Sequence, residues 1–497
     1  MTLVRACVGL VVWALVASAP ATADKVVRLG VFYGPPMPFR GITYSPYVLH
    51  PLQFDALTDI GADGQPSPGL ALSWQAETPT SWVFALRPGV TFSNGEPADA
   101  DAVVATITWL LSDEGRTTAA HRENRSIVGA AARDPLTVEI RTATPDLMLP
   151  GKLFSVKIMP PRHMAAVGMQ GMDKQPIGTG PFVEVERSVA KVRFRAHRTS
   201  WRAPKLDRFE LIATQNQIVR TQALRAGELD IALDVIAEDV EPLRAEGFQV
   251  LVHPLGAVSA VQFVTNRGPP LSDARVRQAL NYAVDKQSMV DRIFYGLTKA
   301  PSQFAPGYAF GAIPDAPPAF PYDPAKAKAL LAEAGYPDGF EMTVIVLGTT
   351  GNIVYEQMAA DLARVGVKAT LKAIPPAEYT SRLFVEGFKD DDAFDYGYIV
   401  FPVMDSLAPL RLHSCLNRVA WHCNREITDA MVAADAIFDR AARRAATEAI
   451  MRRLLDDPPG LLVNETFRVF AATPRITGLE APFGLLRYDK LDLVEAP

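Results

Sequence analysis

The strongest constraint on the fold is a strand, a helix and a second strand that follow one another within residues 341–374. Residues 341–347 are strand-like, residues 353–365 place apolar side chains along one helical face, and residues 367–374 are strand-like again. Two strands joined by a helix pair in parallel within one sheet, because the helix returns the chain to the starting edge. The sequence therefore predicts an α/β fold in this half of the chain.

Aspartates mark the starts of two further helices in the same half. Asp273 precedes apolar residues at helical spacing, and we expect that helix to continue until Gly296. Asp323 is followed by proline, which is favoured at the first helical position, and the apolar stripe there ends at Gly335. Both patterns predict amphipathic helices.

Length and charge exclude two classes of protein. A chain of 497 residues that is 48% hydrophobic is long enough for several domains of roughly 100 to 200 residues, so it is not one small binding module. The formal net charge is −5 and no long basic run occurs. Nucleic-acid binding needs clustered lysine and arginine, so neither DNA nor RNA is an expected partner.

The first 23 residues have the pattern of a cleaved signal peptide. A basic start, Met1–Arg5, precedes an apolar run, Ala6–Ala17, and Ala21–Ala23 has the small-x-small form of a signal-peptidase site. The apolar run is shorter than the ~20 residues that span a membrane. Cys7 lies inside this run, so it is not placed for lipid attachment. We expect a free periplasmic protein whose mature chain begins at Asp24.

Cys415 and Cys423 are the cysteines that remain after such processing. In an oxidising compartment their spacing favours one local disulfide, which stabilises by about 2–3 kcal/mol on the loop-entropy account. His413 and His422 beside them leave a metal site as the alternative, although the spacing matches no zinc template. We predict the disulfide and no metal.

Motifs of known catalytic sites are missing from the sequence. It contains no Gly-x-Ser-x-Gly, no His-Glu-x-x-His, no P-loop and no Gly-x-Gly-x-x-Gly segment. Its 7 histidines are scattered, so a catalytic triad would have to be assembled wholly by the fold. The sequence predicts a protein that is not an enzyme and uses no cofactor, with an exported hydrolase as the alternative.

Five segments spread over nearly the whole mature chain resemble the family 5 extracellular solute-binding proteins of dipeptide and oligopeptide ABC importers. They are Pro68–Trp74 (PGLALSW), Trp82–Pro97 (WVFALRPGVTFSNGEP), Pro176–Phe182 (PIGTGPF), Leu271–Lys286 (LSDARVRQALNYAVDK) and Tyr322–Tyr336 (YDPAKAKALLAEAGY). The resemblance implies a two-lobed periplasmic-binding-protein (Venus-flytrap) fold with an extra subdomain in the first lobe. The implied lobe I covers residues 24–265 plus 470–497, with 55–163 as the inserted subdomain, and lobe II covers 266–469.

The same resemblance implies a function without chemical conversion. Ligand enters an open cleft, the lobes close around it, and the closed monomer docks on an inner-membrane ABC permease. The implied ligand is a short peptide or another small solute, which must bind the closed form better than the open form. A periplasmic sensor or chaperone built on the same fold is a further alternative.

The peptide-specific part of the resemblance is incomplete. In peptide-binding members an aspartate that precedes a later Asp-Pro pairs with the ligand's α-ammonium. Here Asp405 matches the aspartate of that Asp-Pro, and the amine-binding place falls among residues 401–403. An ammonium buried there without an anion would be costly. We therefore expect uncharged or N-blocked solutes to bind at least as well as free dipeptides, unless Asp405 takes the ammonium.

Candidate ligand-binding residues follow from this resemblance. Tyr44 lies on the loop after the first strand, and Trp421 lies inside the loop that the expected disulfide closes. Phe401, Met404 and Asp405 lie on the second-lobe segment just described. For each aromatic residue, burial in the core is an equally good interpretation.

Overall fold

The fold is described by a computed structural model that covers residues 24–32, 48–348 and 353–494. The expected signal peptide, residues 1–23, and the candidate Tyr44 lie outside the described residues. Within those ranges, no helix combines the length and the apolar character needed to cross a bilayer.

The strands form one large mixed sheet, a separate antiparallel sheet and short two-stranded ribbons. In chain order they are β1 (Val26–Val31), β2 (Thr58–Ile60), β3 (Pro66–Pro68), β4 (Ala71–Thr78), β5 (Ser81–Leu86), β6 (Ile127–Asp134), β7 (Thr137–Thr142), β8 (Phe182–Arg187), β9 (Lys191–Ala196), β10 (Arg208–Ala213), β11 (Ile231–Leu233), β12 (Gln249–Phe263), β13 (Glu341–Leu347), β14 (Lys368–Ile374), β15 (Ala393–Asp395), β16 (Tyr398–Ile399), β17 (Gly460–Ala472), β18 (Ile476–Thr477) and β19 (Asp492–Leu493).

The α-helices lie on the faces and at the ends of these sheets. In chain order they are α1 (His50–Gln53), α2 (Ala100–Leu110), α3 (Ala119–Glu123), α4 (Leu149–Lys152), α5 (Pro161–Lys174), α6 (Gln217–Arg225), α7 (Val240–Ala245), α8 (Ala274–Ala283), α9 (Lys286–Arg292), α10 (Pro324–Glu333), α11 (Ile353–Ala363), α12 (Pro376–Ser381), α13 (Arg425–Asp435) and α14 (Arg440–Asp456).

Two long strands, β12 and β17, lie at the centre of the large sheet. Its strand order is β14-β13-β15-β12-β17-β11-β1-β10-β9-β8, and β16 also pairs with β12. β12 and β17 run antiparallel to each other along most of their length. At one end β17 pairs with β11, and at the other end β12 pairs with β15. This strand pair therefore connects the strands of the two lobes.

The first lobe is built around β1, which pairs in parallel with β10 and β11. The C-terminal segment contributes to its core. Tyr488 packs edge-on against Phe209 with ring centroids 5.1 Å apart, and its hydroxyl donates to the carbonyl of Val48 at 2.9 Å. Residues far apart in sequence thus complete one hydrophobic core.

A separate sheet with strand order β4-β5-β7-β6 lies within residues 55–163, the range expected for the inserted subdomain. Helix α2 packs against it, and their shared core contains the fully buried Phe84, Ile107 and Ile140. The carboxylate of Asp99 caps α2 by accepting the N–H of Ala102 at 3.2 Å. The boundaries of the lobes and of the insert stay predictions.

The second lobe contains the expected parallel unit. β13 pairs in parallel with β14, and α11 connects them, so the strand–helix–strand prediction is confirmed. The predicted helix starts are also confirmed, because Asp273 accepts the N–H of Arg275 at 2.9 Å and Asp323 accepts that of Lys326 at 2.8 Å.

The expectation of one helix from Asp273 to Gly296 is wrong. Helix α8 ends at Ala283, the buried Val284 takes an extended conformation, and α9 follows. Asp285 starts α9 by accepting the N–H of Ser288 at 2.9 Å. A second capping residue therefore divides the apolar stripe into two helices.

Candidate functional site between the lobes

The strand pair that joins the lobes is irregular near its middle. The register of β12 against β17 shifts between Pro254 and Val258, and Gly256 between them has a φ of +69°. A Cβ atom on Gly256 would lie 2.9 Å from the Cβ of Phe401, so a larger residue does not fit without displacement. The carbonyl of Gly256 accepts the N–H groups of Val400 and Phe401 at 2.9 and 3.1 Å. The irregularity thus holds the start of the 401–405 loop against the lobe crossing.

The inserted subdomain contacts the second lobe on one side of this crossing. The rings of Phe154 and Phe401 meet edge-on with centroids 5.7 Å apart. The guanidinium of Arg440, the first residue of α14, donates to the side chain of Gln65 at 3.0 Å. These contacts define two facing walls, one on the insert and one on the second lobe.

Helix α3 belongs to the insert wall and is held by local hydrogen bonds. The hydroxyl of Thr118 caps its first turn. Asn124, which is fully buried, donates to the carbonyl of Lys152 at 3.3 Å and to the hydroxyl of Ser155 at 3.0 Å. The end of the helix is thereby fixed to the chain that follows α4.

Arg122 and Arg125 extend from this helix end toward the second lobe. The guanidinium carbon of Arg122 lies 5.8 Å from the ring centroid of Phe384, a second-lobe residue. Both arginines remain open to solvent, yet the protein around them lowers their pKa values, and the charge of Arg411 lowers that of Arg125 further. Among the described residues, neither guanidinium forms an ion pair with a carboxylate. Solvent access combined with protein on several sides is typical of a cleft wall.

Glu123 lies between these two arginines in sequence. Its side chain also reaches solvent, but the surrounding protein raises its pKa to about 6, against the opposing effects of the Ser155 hydroxyl and the charge of Arg122. A carboxyl group with this pKa changes its charge close to neutral pH. The wall at α3 therefore carries an excess of positive charge, which grows as the pH falls.

The second-lobe wall is aromatic. Burial raises the pKa of Tyr396 to about 12, and the positive charge of Arg122 on the facing wall opposes this effect. The ring of His413 lies 5.9 Å from that of Tyr396, 4.3 Å from that of Tyr398 and 5.4 Å from that of Trp421, measured between centroids. Tyr396 is therefore backed by a cluster of buried rings in tilted and edge-on contact.

His413 is neutral within this aromatic cluster, because burial lowers its pKa to about 3. Neither of its ring nitrogens has a hydrogen-bond partner among the described residues, and the same holds for Nε1 of the buried Trp421. Polar atoms buried without partners are uncommon and carry a free-energy cost. The buried cluster behind Tyr396 therefore has an unmet hydrogen-bonding capacity.

Phe401 and Met404, two of the predicted ligand-binding residues, lie at the lobe crossing. Phe401 contacts Phe154 of the insert. The sulfur of Met404 lies 3.4 Å from the point where a Cβ atom on Gly256 would lie. Both side chains are buried. Whether they contact ligand stays a prediction.

Asp405 and Trp421 lie farther back in the second lobe. The carboxylate of Asp405 lies 2.5 Å from the guanidinium of Arg443, and both side chains are buried. Trp421 meets the ring of Phe394 edge-on, with centroids 5.0 Å apart. An acid already paired inside the lobe is poorly placed to receive an ammonium from the cleft.

The predicted disulfide between Cys415 and Cys423 is confirmed. It closes the loop that contains Trp421 and lies beside the buried His413 and His422. Across the described ranges, no three side chains of the kinds that ligate metals come together as a group.

Sequence patterns do not predict the charged wall at α3. Arg122, Glu123 and Arg125 fall outside all five segments that carry the family resemblance. The helix has 5 residues, which is too short for a periodic pattern. The available signal is an Arg-Glu-Asn-Arg run four residues after the capping Thr118, and such runs are usually solvated surface.

Comparisons with known proteins agree with this arrangement. The model of the bacterial extracellular solute-binding proteins, family 5 (middle), matches residues 65–402. Heme-binding protein A of Haemophilus influenzae is 33% identical over 221 residues, which are 42% of this chain and 40% of that protein. Glutathione-binding protein GsiB of Salmonella paratyphi A is 28% identical over 325 residues, which are 62% and 61% of the two chains. The alignments thus span less than two thirds of either relative.

A solved structure shows the same fold. The ABC transporter-associated periplasmic binding protein DppA from Helicobacter pylori, in complex with peptide STSA, superimposes with a TM-score of 0.80 at 19% identity, covering 95% of this chain and 98% of that one. This likeness confirms the two-lobed α/β architecture with an extra subdomain in the first lobe. The family model spans well over half of this chain, which therefore belongs to the family 5 bacterial extracellular solute-binding proteins.

Proposed function

We propose that this chain is the substrate-binding component of an ABC importer. It captures a short peptide or a related small solute between its lobes and delivers it to an inner-membrane permease. The observation that carries this proposal is the pair of facing walls, charged at α3 and aromatic around Tyr396, beside a lobe crossing that is irregular at Gly256. A ligand that contacts both walls at once binds the closed form better than the open form, and this difference drives closure.

The relatives support capture without chemical conversion. Their names describe proteins that bind heme and glutathione, and the structural neighbour holds a peptide. We propose that this protein likewise binds its solute without converting it, acts as a monomer and docks transiently on its permease.

The signal-peptide pattern supports action in the periplasm, with a mature chain that starts at Asp24. The sheet order supports a first lobe of residues 24–265 plus 470–497 and a second lobe of residues 266–469, with the crossings in β12 and β17. The separate antiparallel sheet supports an insert at residues 55–163.

The nominated residues take different roles in this proposal. Phe401 and Met404 shape the cleft next to the lobe crossing, and Tyr44 contributes from the first lobe. Asp405 and Trp421 act from behind the second-lobe wall, the first by holding Arg443 and the second by packing against the ring of His413.

Thermal unfolding with added solutes tests the function. A ligand at one hundred times its Kd stabilises the native state by about 2.7 kcal/mol, which gives a clear rise in Tm. We expect a concentration-dependent rise with at least one member of a panel of dipeptides, tripeptides, their N-acetylated forms and glutathione, and the N-blocked forms should equal or exceed the free dipeptides. Turnover of chromogenic peptide, ester or glycoside substrates would contradict the proposal and support an exported hydrolase.

A further inference from the structure

The arginines on the two walls differ in how their charge is balanced. On the second lobe, Arg411 forms an ion pair with Asp435. On the insert, Arg122 and Arg125 form no ion pair with any described carboxylate. Arg122 donates to the backbone carbonyl of Thr117, and Arg125 donates to the backbone carbonyl of Arg122. The charge of Arg411 is thus paired within the protein, whereas the charges of Arg122 and Arg125 are not paired with any described carboxylate.

The rest of the sequence offers almost no acid to fill this gap. Residues 1–23, 33–47 and 349–352, which lie outside the described ranges, contain no aspartate or glutamate, and residues 495–497 contain one glutamate. The charge of Glu123 acts on Arg122 but also on Lys152 and Lys157, and the charge of Asp435 acts on Arg125 but is already paired with Arg411. The nearby Lys152 is itself paired with Asp146 at 2.7 Å.

The second observation concerns like charges from opposite lobes. The positive charge of Arg411 on the second lobe lowers the pKa of Arg125 on the insert, so these two guanidiniums repel each other. Asp435 offsets part of this repulsion. This repulsion between the lobes is a cost of holding them together, and an anion bound at the arginines would lower it.

We propose, resting on the solute-binding function above, that the captured solute is an organic anion and that Arg122 and Arg125 bind its carboxylate or phosphate oxygens. The anion supplies the missing counter-charge on the insert wall and removes the repulsion between Arg125 and Arg411. Closure is then favourable with the anion present and unfavourable without it, which is the differential affinity that a two-state capture mechanism needs.

The chemistry of both walls agrees with this class of ligand. A guanidinium presents two parallel N–H groups that match a carboxylate or a phosphate, and such charged hydrogen bonds are stronger than neutral ones. The facing rings of Phe384 and Tyr396 provide an apolar surface for the body of an organic molecule. Inorganic phosphate or sulfate would leave that surface without a contact.

The test uses thermal unfolding of the full mature protein with fractions of a bacterial low-molecular-mass extract. The extract is divided at pH 7 by an anion exchanger into a retained and an unretained fraction. We expect the retained fraction to raise Tm and the unretained fraction to have little effect. Treating the retained fraction with a phosphatase separates the two sources of negative charge, since loss of the shift identifies a phosphate ester and persistence identifies a carboxylate.

Variants then locate the contact. The active solute is purified from the retained fraction, and its affinity is measured by calorimetry for Arg122→Gln, Arg125→Gln and the control Arg116→Gln. Arg116 lies on the same segment, is 61% exposed, and its nearest acid is Asp113 at 4.0 Å, so its loss changes net charge equally. We expect each of the first two substitutions to weaken binding by about 10- to 100-fold and the control to change it by less than about twofold.

Three results would overturn the inference. Stabilisation by the unretained fraction alone shows that the solute is not an anion, and it leaves solute binding intact. Unchanged affinity in both Arg122→Gln and Arg125→Gln shows that the anion lies elsewhere. No stabilisation by either fraction removes the solute-binding function itself, and the inference with it.

Discussion

The buried ion pair of Asp405 and Arg443 indicates that Asp405 stabilises the fold and does not bind the ligand. Their side chains are 4% and 3% exposed, and the carboxylate lies 2.5 Å from the guanidinium. The second carboxylate oxygen of Asp405 accepts the N–H of Leu407 at 3.2 Å. Asp405→Asn keeps the size of the side chain and removes its charge, so it isolates the electrostatic contribution.

The expected loss of stability follows from what remains around Arg443. Removing one partner of a buried ion pair costs about 3–5 kcal/mol, because the other charge stays buried without its counter-charge. Arg443 keeps a second contact with Asp435 at 3.1 Å, so we expect about 3 kcal/mol, the lower end of the range. At about 2–4 °C per kcal/mol for a unit of this size, Tm should fall by about 6–12 °C.

Thermal and urea unfolding followed by circular dichroism, without added solute, measure this loss. Asp435→Asn is the matched control, since this acid contacts the same guanidinium but is 29% exposed, and it should cost less than about 1.5 kcal/mol. The double variant Asp405→Asn/Arg443→Gln should be more stable than the sum of the single changes predicts. If Asp405→Asn unfolds within about 1 kcal/mol of the parent and loses affinity for free-amine peptides, the reasoning is refuted, and Asp405 holds the ligand's ammonium.

Two further measurements test the charged wall and the processing of the chain. Glu123 has a raised pKa of about 6 in the folded protein, against about 4.3 when unfolded, so the folded state binds the extra proton in this range and stability falls as the pH rises from 4.3 through 6. Glu123→Gln should remove this contribution, so its Tm relative to the parent should rise between pH 4 and pH 7; a constant difference would contradict the raised pKa. Intact-mass analysis of the exported protein should give a chain that begins at Asp24, without lipid, and two hydrogens lighter than the reduced form because of the Cys415–Cys423 bond; a retained leader or an acyl addition would contradict this processing.

Local signals in the sequence determined much of the second lobe. The aspartates at 273 and 323 predicted helix starts correctly, since a capping carboxylate acts on a backbone N–H within a few residues of itself. The strand–helix–strand pattern predicted a parallel pair for a similar reason, because the connecting helix fixes the direction of the second strand. The same reasoning was wrong at Asp285, because the apolar stripe is continuous in sequence while a second capping residue divides it into two helices.

Tertiary structure alone decided what faces the cleft. β12 and β17 are about two hundred residues apart in sequence, and their pairing brings the 401–405 loop to the crossing between the lobes. Arg443 follows Asp405 by 38 positions, so no local sequence pattern predicts the ion pair between them. Because of this ion pair, the carboxylate of Asp405 is not available on the cleft wall. In the sequence, Arg122 and Arg125 have the pattern of solvated surface charge. In the folded protein the second lobe lies close to them, and its Arg411 is already paired with an acid, so Arg122 and Arg125 remain without a counter-charge. Caps and periodicity act over a few residues, whereas the charge balance of a cleft depends on groups that folding brings together from distant parts of the chain.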